Sequence, residues 1–182
     1  RPRIHCRNRE SIVKLTVIIL GTDALDIERT VDSIRADSAS SEAHVLVRHP
    51  TDPEPWSETN DGGVLLMRAG DRLCKGGAAA LGRGLQDADV VLGGHRIAGA
   101  GQWGLDILPP SIDDIAALSK WAVAPPFELS AIALRRSSLG SPVHPAPFMP
   151  GGELALLHAA LTSTQTTRIT SIRDVVAEVR IR

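Results

Sequence analysis

The chain has 182 residues, of which 43% are hydrophobic and 23% charged, and its formal net charge is −1. This length and composition predict one globular domain with its own core. The balanced charge argues against a dedicated partner among nucleic acids or anionic membranes, and no apolar run approaches the roughly 18 residues that a membrane span needs.

The basic segment 1–12 is expected to be a tail or the remnant of a linker, and residues 13–182 to form the single domain. Cys6 and Cys74 have no second cysteine at metal-ligand spacing. We therefore expect two free thiols and a cytoplasmic location.

The first predicted element is the β-branched run Leu15–Leu20, which is typical of a strand that is buried on both faces. Asp23 is well placed to cap a following helix, in which Ile27, Val31 and Ile34 fall on one face. A short apolar strand over residues 43–47 completes a predicted right-handed βαβ unit.

A polar, proline-bearing loop, 49–63, leads into the apolar strand Val64–Met67 and the turn that ends at Asp71. Open α/β sheets bind ligands at the carboxyl ends of their strands, which favours a phosphate or metal role for Asp71. A lone aspartate after a strand also often bonds its own turn. Both interpretations stay open.

Later elements alternate between strands and helices, which predicts a three-layer α/β sandwich with a mostly parallel central sheet. Helices are predicted over 77–85, after Ser111 and over 153–161, and strands over 89–92, 129–134 and 175–181. A proline-rich loop is predicted over 142–150.

Common catalytic motifs are lacking. Gly99–Gly104 matches the dinucleotide pattern GxGxxG, but Pro109 and Pro110 follow too soon for the helix that a phosphate site needs. The six histidines form no zinc motif. For His95 we expect a surface or capping role rather than a place in a cleft at the carboxyl edge of the sheet. No GxSxG elbow supports a serine nucleophile.

Six segments resemble, in the same order, parts of the family 2 glycosyltransferases, which have the GT-A fold. The first two resemble the opening strand and helix, the next two the strand with the metal-binding Asp-x-Asp motif and its successor, and the last two the acceptor half. These segments are 14–23, 25–34, 65–73, 88–97, 132–139 and 148–157.

The resemblance implies a donor site at the carboxyl edge of the sheet. Thr22 and Asp23 would form its nucleotide edge and Asp71 with Arg68 its diphosphate edge. Asp71 would also be the residue left to bind a divalent cation, Mg²⁺ or Mn²⁺.

Two further residues follow from the resemblance. Glu153 would be the catalytic base that takes the proton of the acceptor hydroxyl. Arg135, like Arg68 or Arg72, could supply in place of a metal the positive charge that the diphosphate needs.

The chain also departs from the family pattern. Arg68 and Gly70 stand where the family has its two metal-binding acids, a single loop replaces several elements before the motif strand, and Pro150 to Gly152 replace the acidic pair near the base helix. These departures predict a reduced donor site.

Two hypotheses remain open. In the first, the chain is a glycosyltransferase-like domain that, if active, binds a nucleotide-diphospho-sugar and a glycan acceptor with Mg²⁺ or Mn²⁺. In the second, it is a non-catalytic binding or scaffolding module of a larger glycan-assembly protein, with a protein partner or fused domain and no cofactor.

Overall fold

The structure is a computed structural model that describes residues 12–37, 43–59, 61–99, 104–109, 128–140, 142, 146–147, 152–163 and 168–180. Its helices and strands are, in chain order, β1 (Leu15–Leu20), α1 (Ala24–Ala36), β2 (His44–Arg48), β3 (Gly63–Arg68), β4 (Arg72–Leu73), α2 (Gly77–Asp87), β5 (Val90–Ala98), β6 (Leu105–Ile107), β7 (Ile132–Arg135), α3 (Gly152–Thr162) and β8 (Ile169–Arg180).

The strands form one eight-stranded sheet in the order β2-β1-β3-β7-β5-β8-β4, and β6 pairs with the second half of β5. Strands β1, β2, β3, β5 and β8 run in one direction, while β4, β6 and β7 run in the other. The sheet is therefore mixed, with most strands parallel.

Side chains that alternate along each strand build two cores, one on each face of the sheet. On β3, Leu65 and Met67 join the core under α1 and α2. Val64 and Leu66 join the core that includes the buried residues of α3. Helices on both faces of one sheet confirm the predicted three-layer α/β sandwich.

The first βαβ unit forms where the sequence predicts it. The Asp23 carboxylate accepts a hydrogen bond from the Asp26 backbone N–H at 2.9 Å, which caps α1. Ile34 is buried, and Ile27 and Val31 pack against the same core. Strand β2 is parallel to β1 and lies at the edge of the sheet.

Several strands differ from the prediction. Strand β5 continues to Ala98, and β8 begins at Ile169. The first residues of the predicted strand 129–134 form a 3₁₀ turn, Leu129–Ala131, before β7. The short strands β4 and β6 lack the length or the alternation that a sequence pattern requires. The helix predicted after Ser111 and most of the 142–150 loop lie outside the described residues.

The expectation for His95 is wrong, because β5 carries the residue into the sheet. Its side chain is only 4% exposed, and its neighbours in the ladder are Ile107 and Ala177. No helix in the described part of the chain is long and apolar enough to cross a membrane.

Candidate functional site

The carboxyl ends of β1, β2 and β3 meet at one edge of the sheet. The Gly21 N–H donates to the carbonyl of Arg48 at 3.2 Å, and the Ala69 N–H donates to the carbonyl of Leu20 at 3.0 Å. A Cβ at Gly21 would overlap the Cβ of Ala69, so this position needs glycine for its small size. These contacts bring the β1–α1 loop beside the turn after β3.

The β1–α1 loop contributes Thr22 and Asp23, and both residues are exposed. The Asp23 carboxylate already caps α1 through the Asp26 N–H. The loop lies at the amino terminus of α1, and a helix amino terminus favours a bound anion. The loop therefore has the right position for a nucleotide edge, while its acid has a structural task.

Arg68 ends β3 and is partly buried. By alternation along the strand, its side chain leaves the sheet on the face of Val64 and Leu66, which is the face that α3 covers. The Arg68 backbone N–H donates to the Ser130 hydroxyl at 3.3 Å. A guanidinium thus stands at the strand end where the family has its first motif acid.

Asp71 lies at the same edge but is 2% exposed. Its Oδ2 accepts a hydrogen bond from the Ser130 hydroxyl at 2.7 Å, and its Oδ1 accepts one from the Arg180 backbone N–H at 3.3 Å. Its carbonyl oxygen accepts from the Thr30 hydroxyl at 2.8 Å. Asp71 therefore joins α1, the segment before β7 and the end of β8 to the turn after β3.

Divalent cations such as Mg²⁺ and Mn²⁺ need several oxygen ligands that converge on one point. Within the described ranges, no three His, Cys, Asp or Glu side chains are grouped so that they could hold a metal ion. Asp71 is the one acid of the motif turn, and protein donors occupy both of its carboxylate oxygens. The residues that the structure describes at this edge do not fit a divalent cation.

Arg135 lies at the opposite edge of the sheet from Arg68. It pairs with Gly63 at the start of β3, whereas Arg68 pairs with Leu20 at the end of β1. Five residues of strand separate the two edges, a distance of about 16 Å. The structure therefore does not bring Arg135 together with the other candidate residues.

The contacts of Arg135 explain its position. Its guanidinium donates to the carbonyls of Leu85, Gln86 and Ala88 at the carboxyl end of α2, and it lies 3.5 Å from the Asp89 carboxylate. Carbonyls at a helix end lack partners in the helix and favour a cation. Arg135 thus caps α2.

Glu153 is the second residue of α3, and nothing in the described part of the structure places its side chain. The backbone of α3 is placed by Leu156, Leu157 and Ala160, which are buried in the core that Val64 and Leu66 share. Glu153 and Arg68 therefore belong to the same face of the sheet.

The sequence patterns did not identify the residues that hold the turn together. Ser130 and Arg180 each sit in a predicted strand, and neither carries a local signal for its long-range contact with Asp71. Trp56 has one signal, because it is the single large apolar residue of the polar loop 49–63. It is fully buried in the α3-side core.

The pKa values of His95 and Cys74 are also shifted. Burial lowers the pKa of the His95 imidazole below its usual value. Burial, and next the Glu178 carboxylate, raise the pKa of the Cys74 thiol. Cys74 is a free thiol, and a raised pKa makes it less reactive than an exposed cysteine.

No protein-family model and no curated protein sequence matches the chain. Solved structures of S. aureus TarS do match in fold. TarS 1-349 aligns with a TM-score of 0.66 at 11% identity over 92% of this chain and 60% of its own. Its complex with UDP-GlcNAc aligns with a TM-score of 0.62 at 10% identity, over 93% of this chain and 59% of the TarS chain. The longer TarS chain aligns with a TM-score of 0.63 at 14% identity, over 92% of this chain and 37% of its own.

The chain thus spans at most about three fifths of the TarS chains that it matches. Identities this low show the fold alone, and that fold is the GT-A-type fold of a glycosyltransferase. The resemblance that the sequence suggested is confirmed at this level.

Proposed function

We propose that this chain is a glycosyltransferase-like domain, related to family 2, whose reduced donor edge no longer supports metal-dependent sugar transfer. It works as a binding module of a larger glycan-assembly protein. One observation carries the proposal: the carboxylate of Asp71 is buried and bonded to the Ser130 hydroxyl and the Arg180 N–H. The acid that remains in the motif turn serves the fold.

Two further acids near this edge support the same proposal. Asp23 caps α1, so its carboxylate has a structural partner. The Asp26 carboxylate lies beside Gly70 and is paired with Arg29 and Arg180. A metal-assisted departure of a nucleoside diphosphate requires a cation held between protein carboxylates and the two phosphates. Each of these carboxylates, like that of Asp71, already has protein donors, which leaves no pair of free carboxylates at this edge among the described residues.

Thermal unfolding with nucleotide ligands tests the proposal. TarS has been crystallised with UDP and with UDP-GlcNAc, which makes these two compounds the first probes. A ligand at about 100 times its dissociation constant adds about 2.7 kcal/mol of stability. We expect the melting temperature with either compound to be the same in Mn²⁺ and in EDTA. A stabilisation that requires Mn²⁺ would overturn the proposal.

A second candidate function is metal-independent binding of a nucleotide-diphospho-sugar. Arg68 supports it, because a guanidinium at the end of β3 lies where a positive charge could meet a diphosphate and forks of this kind suit phosphate oxygens. In this case Thr22 and Asp23 form the nucleotide edge. If transfer persists, Glu153 is the base, and a glycan is the acceptor.

Replacement of Arg68 separates the two candidates. If UDP binds through Arg68, Arg68→Gln should weaken its affinity in EDTA about tenfold, while the exposed control Arg35→Gln on α1 should have no effect. If neither wild type nor Arg68→Gln binds UDP, the binding-module function stands and the second candidate fails. The cytoplasmic location stays a prediction.

A further inference from the structure

A separate cleft of about 440 Å³ opens on the α1 side of the sheet. It lies between α1, the turn after β3 and the end of β8, and neither Thr22, Asp23 nor Arg68 lines it. Its volume falls within the range of about 300–1,000 Å³ that small-molecule sites occupy.

Three arginines line the cleft, namely Arg29 of α1, Arg72 of β4 and Arg180 of β8. Two of them are held by one atom, because Oδ1 of Asp26 lies 3.1 Å from Nη1 of Arg29 and 2.9 Å from Nη1 of Arg180. A guanidinium has five N–H donors. Each arginine therefore keeps several donors for a ligand while Asp26 limits the motion of its side chain.

Arg72 differs from the other two arginines. It is exposed and makes no ion pair with any carboxylate in the described part of the chain. Its ladder partner is Glu178, which lines the same cleft. Arg72 thus adds a positive charge that the described ion pairs do not neutralise.

Two carboxylates complete the lining. Glu178 is partly buried, and Asp32 is 66% exposed and lies 3.9 Å from Arg35. These acids would repel an inorganic phosphate and a phosphate ester alike, but they would also accept hydrogen bonds from sugar hydroxyls, which only the ester carries. Arginines and carboxylates in one cleft of this volume therefore suit a ligand that carries both a phosphate and hydroxyl groups.

We propose that this cleft binds a phosphomonoester with several hydroxyl groups, a sugar phosphate in chemical class. Arg29, Arg72 and Arg180 contact the phosphate, and Asp32 and Glu178 accept hydrogen bonds from the hydroxyls. The cleft shares Gly70 with the motif turn, but the charged side chains that line it differ from Thr22, Asp23 and Arg68 of the donor edge.

Titration followed by NMR chemical shifts tests the site, with glucose 1-phosphate, inorganic phosphate and glucose as probes. We expect glucose 1-phosphate to bind most tightly, with shifts confined to residues around the cleft. Arg72→Gln should weaken this binding about tenfold, since it removes a charge-assisted contact. Arg83→Gln, at an exposed position of α2 outside the cleft, should leave the affinity unchanged.

Glu178→Gln tests the second half of the proposal. It should weaken the binding of glucose 1-phosphate and leave the affinity for inorganic phosphate unchanged or higher, because only the hydroxyl contacts use this acid. Absence of glucose 1-phosphate binding at about 10 mM, a concentration that would detect even a weak site, overturns the proposal. Equal affinity of wild type and Arg72→Gln also overturns it. Arg68→Gln should change none of these results, so the outcome is independent of the proposed function.

Discussion

The hydroxyl of Ser130 lies 2.7 Å from the carboxylate of Asp71, and 59 residues of chain separate them. Both side chains are buried. Because Ser130 also accepts the Arg68 N–H and Asp71 also accepts the Arg180 N–H, this one contact connects the turn after β3 with two distant segments. It explains why an acid persists in a turn that does not fit a metal.

Ser130→Ala should lower the free energy of unfolding by about 1–3 kcal/mol, because it leaves a buried carboxylate oxygen without its donor. Ser57→Ala is the matched control, since Ser57 is exposed in the 49–63 loop and its expected effect is within about 0.5 kcal/mol. Urea unfolding measures both. Equal stability of the two variants would show that the contact does not hold the turn.

Gly21→Ala should cost about 1–3 kcal/mol, because the new methyl group overlaps Ala69 where β1 and β3 meet. Gly140 offers the comparison: it is exposed, and no atom lies within 4 Å of a Cβ placed there. Thermal unfolding of the two alanine variants should therefore differ. A Gly21→Ala protein as stable as Gly140→Ala would contradict the tight approach of the two strand ends.

Arg135→Gln should destabilise the fold by about 1–3 kcal/mol, since the carbonyls at the end of α2 lose a charged donor. Ligand binding at the Arg68 edge should be unchanged, because Arg135 lies at the other end of the strands. Arg83→Gln, an exposed position on α2, controls for the loss of charge. If Arg135→Gln alters nucleotide affinity but not stability, the assignment of Arg135 to the helix cap is wrong.

The stability of the protein should fall as the pH drops below about 6.5, the usual pKa of histidine. Burial lowers the pKa of His95 in the folded state, so the unfolded state takes up a proton first. Neutral His95 makes its full contribution to the free energy of unfolding when the pH is above the pKa of the unfolded state. This contribution is lost as the pH falls toward the lower pKa of the folded state.

His95→Gln should flatten this part of the stability curve, as measured by urea unfolding between pH 7.5 and 5. The exposed His158 on α3 supplies the control His158→Gln, which should keep the wild-type slope. Equal slopes in all three proteins would mean that His95 does not set the acid sensitivity.

The sequence predicts most strongly those elements whose signals are local. The β-branched run of β1 and the Asp23 cap of α1 lie within a few residues of what they stabilise, and the structure confirms both. The order of elements was sufficient to indicate the GT-A-like fold. The insertion of β7 between β3 and β5 depends on pairing across more than 60 residues, for which a single sequence has no local pattern.

The candidate site was predictable in position but only partly in its contacts. Strand ends place Thr22, Asp23, Arg68 and Asp71 at one edge, as expected. The burial of Asp71 depends on Ser130 and Arg180, which lie 59 and 109 positions further along the chain. Arg135 was grouped with them because its type suits phosphate, but β7 runs antiparallel to β3 and carries it to the opposite edge.

The central claim is that a divalent cation does not contribute to ligand binding at the donor edge. Calorimetric titration of the protein with UDP, once in saturating Mn²⁺ and once in EDTA, tests it most directly, with titrations of Mn²⁺ into UDP alone as the correction. We predict that the affinity for UDP is the same in Mn²⁺ and in EDTA, or that UDP binds in neither. The claim would be contradicted if the affinity for UDP were about tenfold or more higher in Mn²⁺ than in EDTA and if Asp71→Asn removed this increase.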